Sequence, residues 1–240
     1  MTGILEGLYP IADGIMQALH LMVTLDPEVL KITGLSLVIT FSATILGTVI
    51  ALPVGSFITF QGFPGKKFFI NLIQTLYAFP TVVIGLLVFL FIRRIGPFGF
   101  LGFLFSPWGM IIGQTILVLP IITGLTISAL SGIDRTITDT VISLGANRLQ
   151  FLFSVIKEAR FAIFAAIAMA FGRAISEVGA AIIIGGNIDA TSFWGSTRTL
   201  TTAITLETGK GNIGLSIALG LILLLIALVI NTLMTQVQQR

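Results

Sequence analysis

An all-α integral membrane protein is the fold class this sequence predicts, and three observations carry the prediction. Of 240 residues, 55% are apolar and only 10% are charged, whereas a soluble domain carries roughly 25% charged residues. Mean hydropathy is +1.07. The apolar residues gather in long runs that do not alternate, which favours helices over barrel strands. Most of the chain must therefore face lipid or other lipid-embedded helices. A soluble enzyme, a nucleic-acid-binding domain and a disordered tail are excluded at this step. The pI near 9.6 rests on a net charge of only +3, so it is no sign of nucleic-acid binding.

A span needs about 20 mostly apolar residues. The first run, from about Ile32 to Phe60, carries no charge and is longer than a bilayer requires, so it should tilt or project. The second covers about Phe68 to Ile92, the third about Trp108 to Leu130, and the fourth about Phe161 to Ile184. The fifth covers about Ile213 to Met234. Only the fourth contains charges. Residues 1–28 form a separate N-terminal segment ahead of the membrane domain at 29–240. In it, Glu6, Asp13, Gln17 and His20 fall within a helical sector of about 60°, which predicts an amphipathic helix along the bilayer surface. A sixth span with its polar stripe turned toward the protein is the competing reading. No Lys or Arg precedes Lys31, so the segment lacks the basic start of a signal peptide.

Pro53, Pro80 and Pro120 sit inside spans, where they should kink the helix and free carbonyls. Ala43, Gly47, Ala51 and Gly55 form a small-residue seam in the first span, as do Ala162, Ala166, Ala170 and Ala174 in the fourth. Such seams allow close helix packing. Trp108 and Trp194 fall near span ends, where indole is favoured as an anchor. With five spans, one side holds Lys66, Lys67, Arg135, Arg148, Lys157, Arg160 and Arg240, and the other Lys31, Arg93, Arg94, Arg198 and Lys210. This bias weakly puts the Ser131–Arg160 insertion in the cytoplasm, with Arg93 and Arg94 pulling the other way.

The chain has no cysteine and a single histidine, His20, so no Cys or His-rich metal site is expected. No G-x-x-x-x-G-K-[ST] loop is present. If ATP drives this protein, another chain binds it. No extra domain is visible after Arg240 in the sequence, so any regulatory inhibition is expected to act elsewhere.

The Ser131–Arg160 insertion carries the functional signal. A short helix from about Ile137 to Leu144 should end at Gly145, a residue suited to the left-handed turn after a helix. A second helix should start near Asn147 and run into the fourth span. Asp139-Thr140-Val141, then Gly145, then Val155 resembles the E-A-A, three residues, G, nine residues, I-x-L-P coupling motif of ATP-binding-cassette (ABC) importer permeases. Leu144-Gly145-Ala146 matches its core, and Lys157-Glu158 departs from the L-P positions. Gly172-Arg173-Ala174-Ile175-Ser176-Glu177-Val178-Gly179-Ala180, with Gly185-Gly186-Asn187-Ile188, resembles molybdate, tungstate and sulfate permeases. Asp26-Pro27-Glu28, Phe63-Pro64-Gly65-Lys66, Gly96-Pro97-Phe98-Gly99 and Lys157-Glu158-Ala159-Arg160 resemble the tungstate-type permease.

The resemblance covers nearly the whole chain. It implies the type I ABC importer permease fold, with five core transmembrane helices plus the N-terminal amphipathic or sixth helix. It implies a multi-pass plasma-membrane protein with the coupling loop and C-terminus in the cytoplasm. A coupling helix at about 137–147, with Asp139, Thr140, Val141, Leu144, Gly145, Ala146 and Asn147, would dock on an ATPase. The implied partners are a second permease copy, two ATPase subunits that bind ATP and Mg, an extracytoplasmic oxyanion-binding protein and membrane lipid. This chain itself would bind no cofactor, metal or nucleic acid. Tungstate is the expected cargo, with molybdate, sulfate or phosphate as alternatives.

Arg173 and Glu177 are four residues apart and should share a helix face. Either they pair and fix packing near the dimer axis, or Arg173 faces the pathway, with Ser176 beside it, and Glu177 holds it in place. Arg93, Arg94, Arg198 and Lys210 fall at the outer mouth, where they steer an anion, pair with acidic residues of the binding protein, or are ordinary solvated loop charges. Two other classes of function compete. An ATP-independent secondary transporter would often show inverted repeats or several buried acids; no clear repeat is visible and Glu177 is the one acid within a core run. A membrane enzyme would need a catalytic constellation that one histidine and one Arg–Glu pair do not supply.

Overall fold

A computed structural model describes residues 2–238; Arg240 and the Glu6 side chain, both used above, lie outside the described residues. Eleven α-helices follow one another: α1 (Thr2–Val23), α2 (Pro27–Phe60), α3 (Lys66–Tyr77), α4 (Thr81–Ile92), α5 (Pro107–Ser131), α6 (Arg135–Ser143), α7 (Arg148–Glu158), α8 (Arg160–Ile175), α9 (Gly179–Gly185), α10 (Leu200–Gly209) and α11 (Ile213–Gln238). No strand occurs among the described residues.

Three helices, α2, α5 and α11, are by themselves long and apolar enough to cross a membrane. The second and fourth runs are broken. The α3 and α4 axes differ by 101°, and those of α8 and α9 by 60°. Counting each bent pair as one span gives five. The first break has a simple cause. Pro80 lacks an amide proton and restricts Phe79 to extended backbone, so α3 ends at Tyr77 and α4 restarts behind Pro80. Pro53 and Pro120, by contrast, lie inside uninterrupted helices. The second break contains no proline and is built by side chains described below.

α2 starts cleanly because the Asp26 carboxylate accepts the Glu28 and Val29 amides, with Pro27 at the first helical position. Its 34 residues span about 51 Å at 1.5 Å each, well beyond a hydrocarbon core of about 30 Å. α5 is the central helix, with 67% of its membrane-length window buried, against 28% for α11. The α2 seam of Ala43, Gly47, Ala51 and Gly55 is fully buried. A Cβ on Gly47 would lie 2.6 Å from Val118 Cγ2, and one on Gly55 would lie 2.9 Å from the Thr123 carbonyl. In α8, Ala166, Ala170 and Ala174 are buried, whereas Ala162 is exposed and leaves that seam.

α1 packs on α11. Gly14 and Ala18 are buried, and a Cβ on Gly14 would meet Ile213 and Ile217. Asp13 and His20 are exposed, as is Gln17, whose side chain lies against the Gly214 backbone. The polar stripe is therefore not turned into the core of this chain.

The α4–α9 crossing is the tightest test of small-residue packing. A Cβ on Gly85 would stand 2.6 Å from the Ala180 Cα. That contact is to backbone and cannot rotate away. Gly85→Val is expected to destabilise the protein by about 1–3 kcal/mol through overpacking. Thermal unfolding of the purified protein reads this, and an unchanged midpoint would contradict the crossing.

Candidate functional site

Two helices and a turn project from the bundle between α5 and α8. The Asp134 carboxylate accepts the Thr136 amide at 2.8 Å and caps α6. This bond from the backbone holds the Asp134 carboxyl below its usual range. α6 has no buried residue. After it the chain reverses through Gly145, with φ +78°. The Gly145 amide donates to the Ile142 carbonyl at 2.9 Å, and the Ala146 amide to the Val141 carbonyl at 3.4 Å. The left-handed conformation is easy for glycine and costly for residues with a Cβ. Asn147 then caps α7 in a reciprocal box with Gln150.

The turn is rigid within itself, yet its apolar side chains are uncovered. Leu144 is 81% exposed, and Ile142, Leu149 and Phe153 are exposed as well. Asp139, Thr140 and Asn147 also face outward, while Val141 and Ala146 are half-buried. A groove of about 870 Å³ runs between the α2 end, at Phe57 and Phe60, and the turn residues Ile142, Ala146 and Leu149. Val155 is completely buried with Leu130, Ala159 and Ile163, so α7 is anchored to the bundle. The structure differs from expectation in one respect. α7 stops at Glu158 and α8 starts afresh at Arg160, so the two are not one continuous helix.

Arg173, Ser176 and Glu177 cluster at the break in the fourth span, but not as one helix face. α8 ends at Ile175. The Ser176 hydroxyl donates back to the Gly172 carbonyl at 2.8 Å, a bond that competes with helix continuation. Glu177 lies beyond the break, is 4% exposed, and accepts the Ala180 amide at 3.0 Å. The Thr201 hydroxyl donates to the Glu177 carbonyl at 2.7 Å. Arg173 is exposed and makes no ion pair among the described residues. The expected shared helix face is thus corrected, and of the two readings of Arg173 and Glu177 the ion pair is absent among the described residues. The 60° bend removes the shared face, and Glu177 caps α9 instead.

Four loop cations were expected at one mouth, and the structure brings two of them, Arg198 and Lys210, onto one carboxylate, that of Glu207. Arg198 is only 7% exposed. Its guanidinium donates to Glu28 at 2.6 Å and to Glu207 at 3.0 Å, with Asp189 3.9 Å away. Lys210 donates to the same Glu207 carboxylate at 2.9 Å, and Asn212 at 3.1 Å. Lys31 pairs with Asp189 at 2.8 Å and also donates to the Ala190 carbonyl. Arg198 is therefore a buried tie between the start of α2 and the end of α10, not a solvated loop charge. Arg94 is exposed and Arg93 half-buried, with no ion pair among the described residues. Around this cluster, Thr197 donates to the Gly185 carbonyl, and Ser36 accepts the Leu200 amide. Trp108 and Trp194 stack at 5.5 Å with their planes 5° apart, which holds the α9–α10 loop against the start of α5.

The Lys210 hydrogen bond holds the Glu207 carboxyl below its ordinary range despite burial, and the Lys31 bond does so for Asp189. A carboxylate with a depressed folded-state pKa contributes stability fully above its unfolded value, about 4. That contribution is lost as pH falls through the lower folded value. Thermal unfolding followed downward from pH 7 should show this loss below about pH 4, with a shallower acid slope in Glu207→Gln. Parallel slopes would contradict the assignment.

Sequence reasoning did not single out Glu28, Asp189, Glu207 or the buried threonines as a cluster. Only Glu207 and Lys210 are near neighbours in sequence. The one available signal was the density of hydroxyls from Ser196 to Thr202. No group of three or more His, Cys, Asp or Glu side chains is arranged to hold a metal among the described residues.

Residues 43–240 match the family described as binding-protein-dependent transport system inner membrane component. A probable anion ABC transporter permease protein of Haloferax volcanii is 42% identical over 213 residues, covering 88% of this chain and 90% of that protein. A tungstate uptake system permease protein of Peptoclostridium acidaminophilum is 37% identical over 229 residues, covering 95% and 98%. Among solved structures, the methionine ABC transporter MetNI in an inward-facing conformation has a TM-score of 0.66 at 17% identity. That match covers 88% of this chain and 94% of the other, and it establishes the fold.

Proposed function

This chain belongs to the binding-protein-dependent transport system inner membrane component family, and on that premise we propose that it is the permease of an ATP-driven importer whose cargo is tungstate. The observation that carries the cargo is the 37% identity, over nearly the full length of both chains, to a tungstate uptake permease. Molybdate and sulfate have similar charge, so they are the cargoes the test must exclude. Calorimetric titration of the cognate binding protein with each oxyanion decides between them. Tightest binding of tungstate is expected, and preference for another oxyanion would reassign the cargo.

The machine has two permease copies, two ATPase subunits that bind ATP and Mg, and an extracytoplasmic binding protein. The α6–α7 turn and the C-terminus lie in the cytoplasm. Asp139, Thr140, Val141, Leu144, Gly145, Ala146 and Asn147 form the lever that an ATPase grips. The support is physical: the turn is rigid by its hydrogen bonds and caps, anchored through buried Val155, and presents uncovered apolar side chains. A partner surface that covers them gains hydrophobic free energy and also moves α8. When the ATPases close, the turn moves and the passage opens outward. The chain does no covalent chemistry, and the cargo moves because two conformations expose its path to opposite sides.

Arg173 lines that passage. It sits on an exposed face within a membrane span and lacks a carboxylate partner. Leaving it in lipid costs about 2.5–3.5 kcal/mol, whereas a water-filled passage between two copies removes that cost. A cation there attracts a dianion without a closed site that would trap it. Ser176, exposed three residues on, stands beside it at the end of α8, and Glu177 fixes the bend. Arg93 and Arg94, which have no ion pair among the described residues, remain available at the outer mouth to the anion or to the binding protein, whereas Lys210 is engaged by Glu207. Arg173→Gln should slow uptake at least severalfold with ATPase assembly intact. Normal uptake in that variant would remove Arg173 from the pathway.

A further inference from the structure

The Lys157-Glu158-Ala159-Arg160 junction has no role in the transport reading, yet it stands at the head of a continuous apolar furrow. One section, of about 470 Å³, is bordered by Lys157, Arg160, Ile163, Phe164 and Ile167. A second, of about 460 Å³, shares Phe164 and Ile167 and continues between α2, α8 and α11 to Phe41 and Phe171. The Phe41 and Phe171 rings meet at 4.7 Å at its far end. Arg160 is held in place: it donates to the Lys157 carbonyl at 2.9 Å and lies 4.3 Å from the centre of the Phe161 ring. Both Lys157 and Arg160 are exposed, and neither has a carboxylate partner among the described residues.

Helical geometry sets this furrow apart from the passage. At 100° per residue, Arg160, Phe164, Ile167 and Phe171 fall within about 60° of one another on α8. Phe164 and Arg173 are nine residues apart, which places them about 180° apart. The furrow thus opens on the side of α8 that faces away from Arg173. Arg160 to Phe171 covers about 16 Å along the helix, close to one leaflet of a hydrocarbon core of about 30 Å. An apolar channel one leaflet deep, with two unpaired cations at its membrane edge, is complementary to one class of molecule. We infer that it holds a single anionic phospholipid, with its phosphate between Lys157 and Arg160 and one acyl chain along Phe164 and Ile167. The charge selects the headgroup, and burial of the chain supplies the affinity.

The test uses the full-length purified chain and native mass spectrometry. Phosphatidylglycerol and phosphatidylcholine with identical acyl chains are supplied in equal amounts. One phosphatidylglycerol per chain should be retained in preference to phosphatidylcholine. Lys157→Gln and Arg160→Gln should each lower that preference about fivefold. Ile167→Trp, which fills the furrow, should remove both lipids. Equal retention of the two lipids, unaffected by the charge variants, would overturn the inference. Since the chain has no cysteine, Phe164→Cys offers a second readout. A disulfide between two copies at this position would show a second chain in the furrow and also overturn it. None of these measurements depends on the cargo or on ATP, so they fail or succeed separately from the transport reading.

Discussion

Gly145→Leu is expected to abolish ATP-driven oxyanion uptake while leaving the chain folded and inserted in the membrane. The effect follows from conformation rather than from crowding. Gly145 has φ +78°, and a Cβ there would meet nothing within 4 Å. A larger side chain therefore fits in space, but its left-handed backbone costs roughly 1–2 kcal/mol. The turn is exposed and α6 has no buried residue, so it relaxes locally while the bundle stays intact. Relaxation would break the Gly145 bond to Ile142 and the Ala146 bond to Val141. Leu144 and Asn147 would then no longer hold a fixed relation, and a lever without fixed shape transmits no displacement. Gly145→Asn is the control, since Asn tolerates this conformation better than other side chains, and it should retain much of the uptake. Uptake and ATP hydrolysis in proteoliposomes with the ATPase and binding protein measure both. Full uptake by the Leu variant would count against the lever.

Arg198→Met is expected to be the most destabilising of these substitutions, by about 3–5 kcal/mol, the usual loss when one partner of a buried ion pair is removed. Arg198 joins Glu28 at the head of α2 to Glu207 near the end of α10. Lys210 and Asn212 still reach Glu207 in the variant, so the lower end of that range is the expectation. The double variant Arg198→Met/Glu207→Met should recover part of the loss, because no uncompensated charge is then left buried. Thermal unfolding of the purified protein and its variants decides the matter. A single-variant loss below about 1 kcal/mol, typical of exposed pairs, would show the network to be a surface one.

Some features of the chain could be read from local chemistry. Hydropathy located all five apolar runs, and the boundaries of α2 and α5 follow from the Asp26-Pro27 and Ser106-Pro107 starts. The exposed turn between α6 and α7 was also readable, because Gly145 and Asn147 act on their own neighbours. Proline was a poorer guide. Of three prolines in apolar runs, only Pro80 coincides with a break, while α2 and α5 run on through Pro53 and Pro120. The bend at Glu177 left no such mark, since it depends on a carboxylate folding back to the Ala180 amide and on Thr201 from α10.

The order of the runs, their lengths and the exposed helix–turn–helix were thus set by the sequence alone. Transfer of a side chain into lipid and the capping of a helix end depend on residues within one turn or one span. Tertiary structure decided which charges are free and which are spent. Arg198 reads as an ordinary loop cation until α2 brings Glu28, 170 residues away in sequence, within hydrogen-bond reach. Arg173 reads as sharing a helix face with Glu177 until the 60° bend turns Glu177 to the start of α9. The strength of an electrostatic contact depends on distance and burial, and both are properties of packed helices rather than of neighbours along the chain.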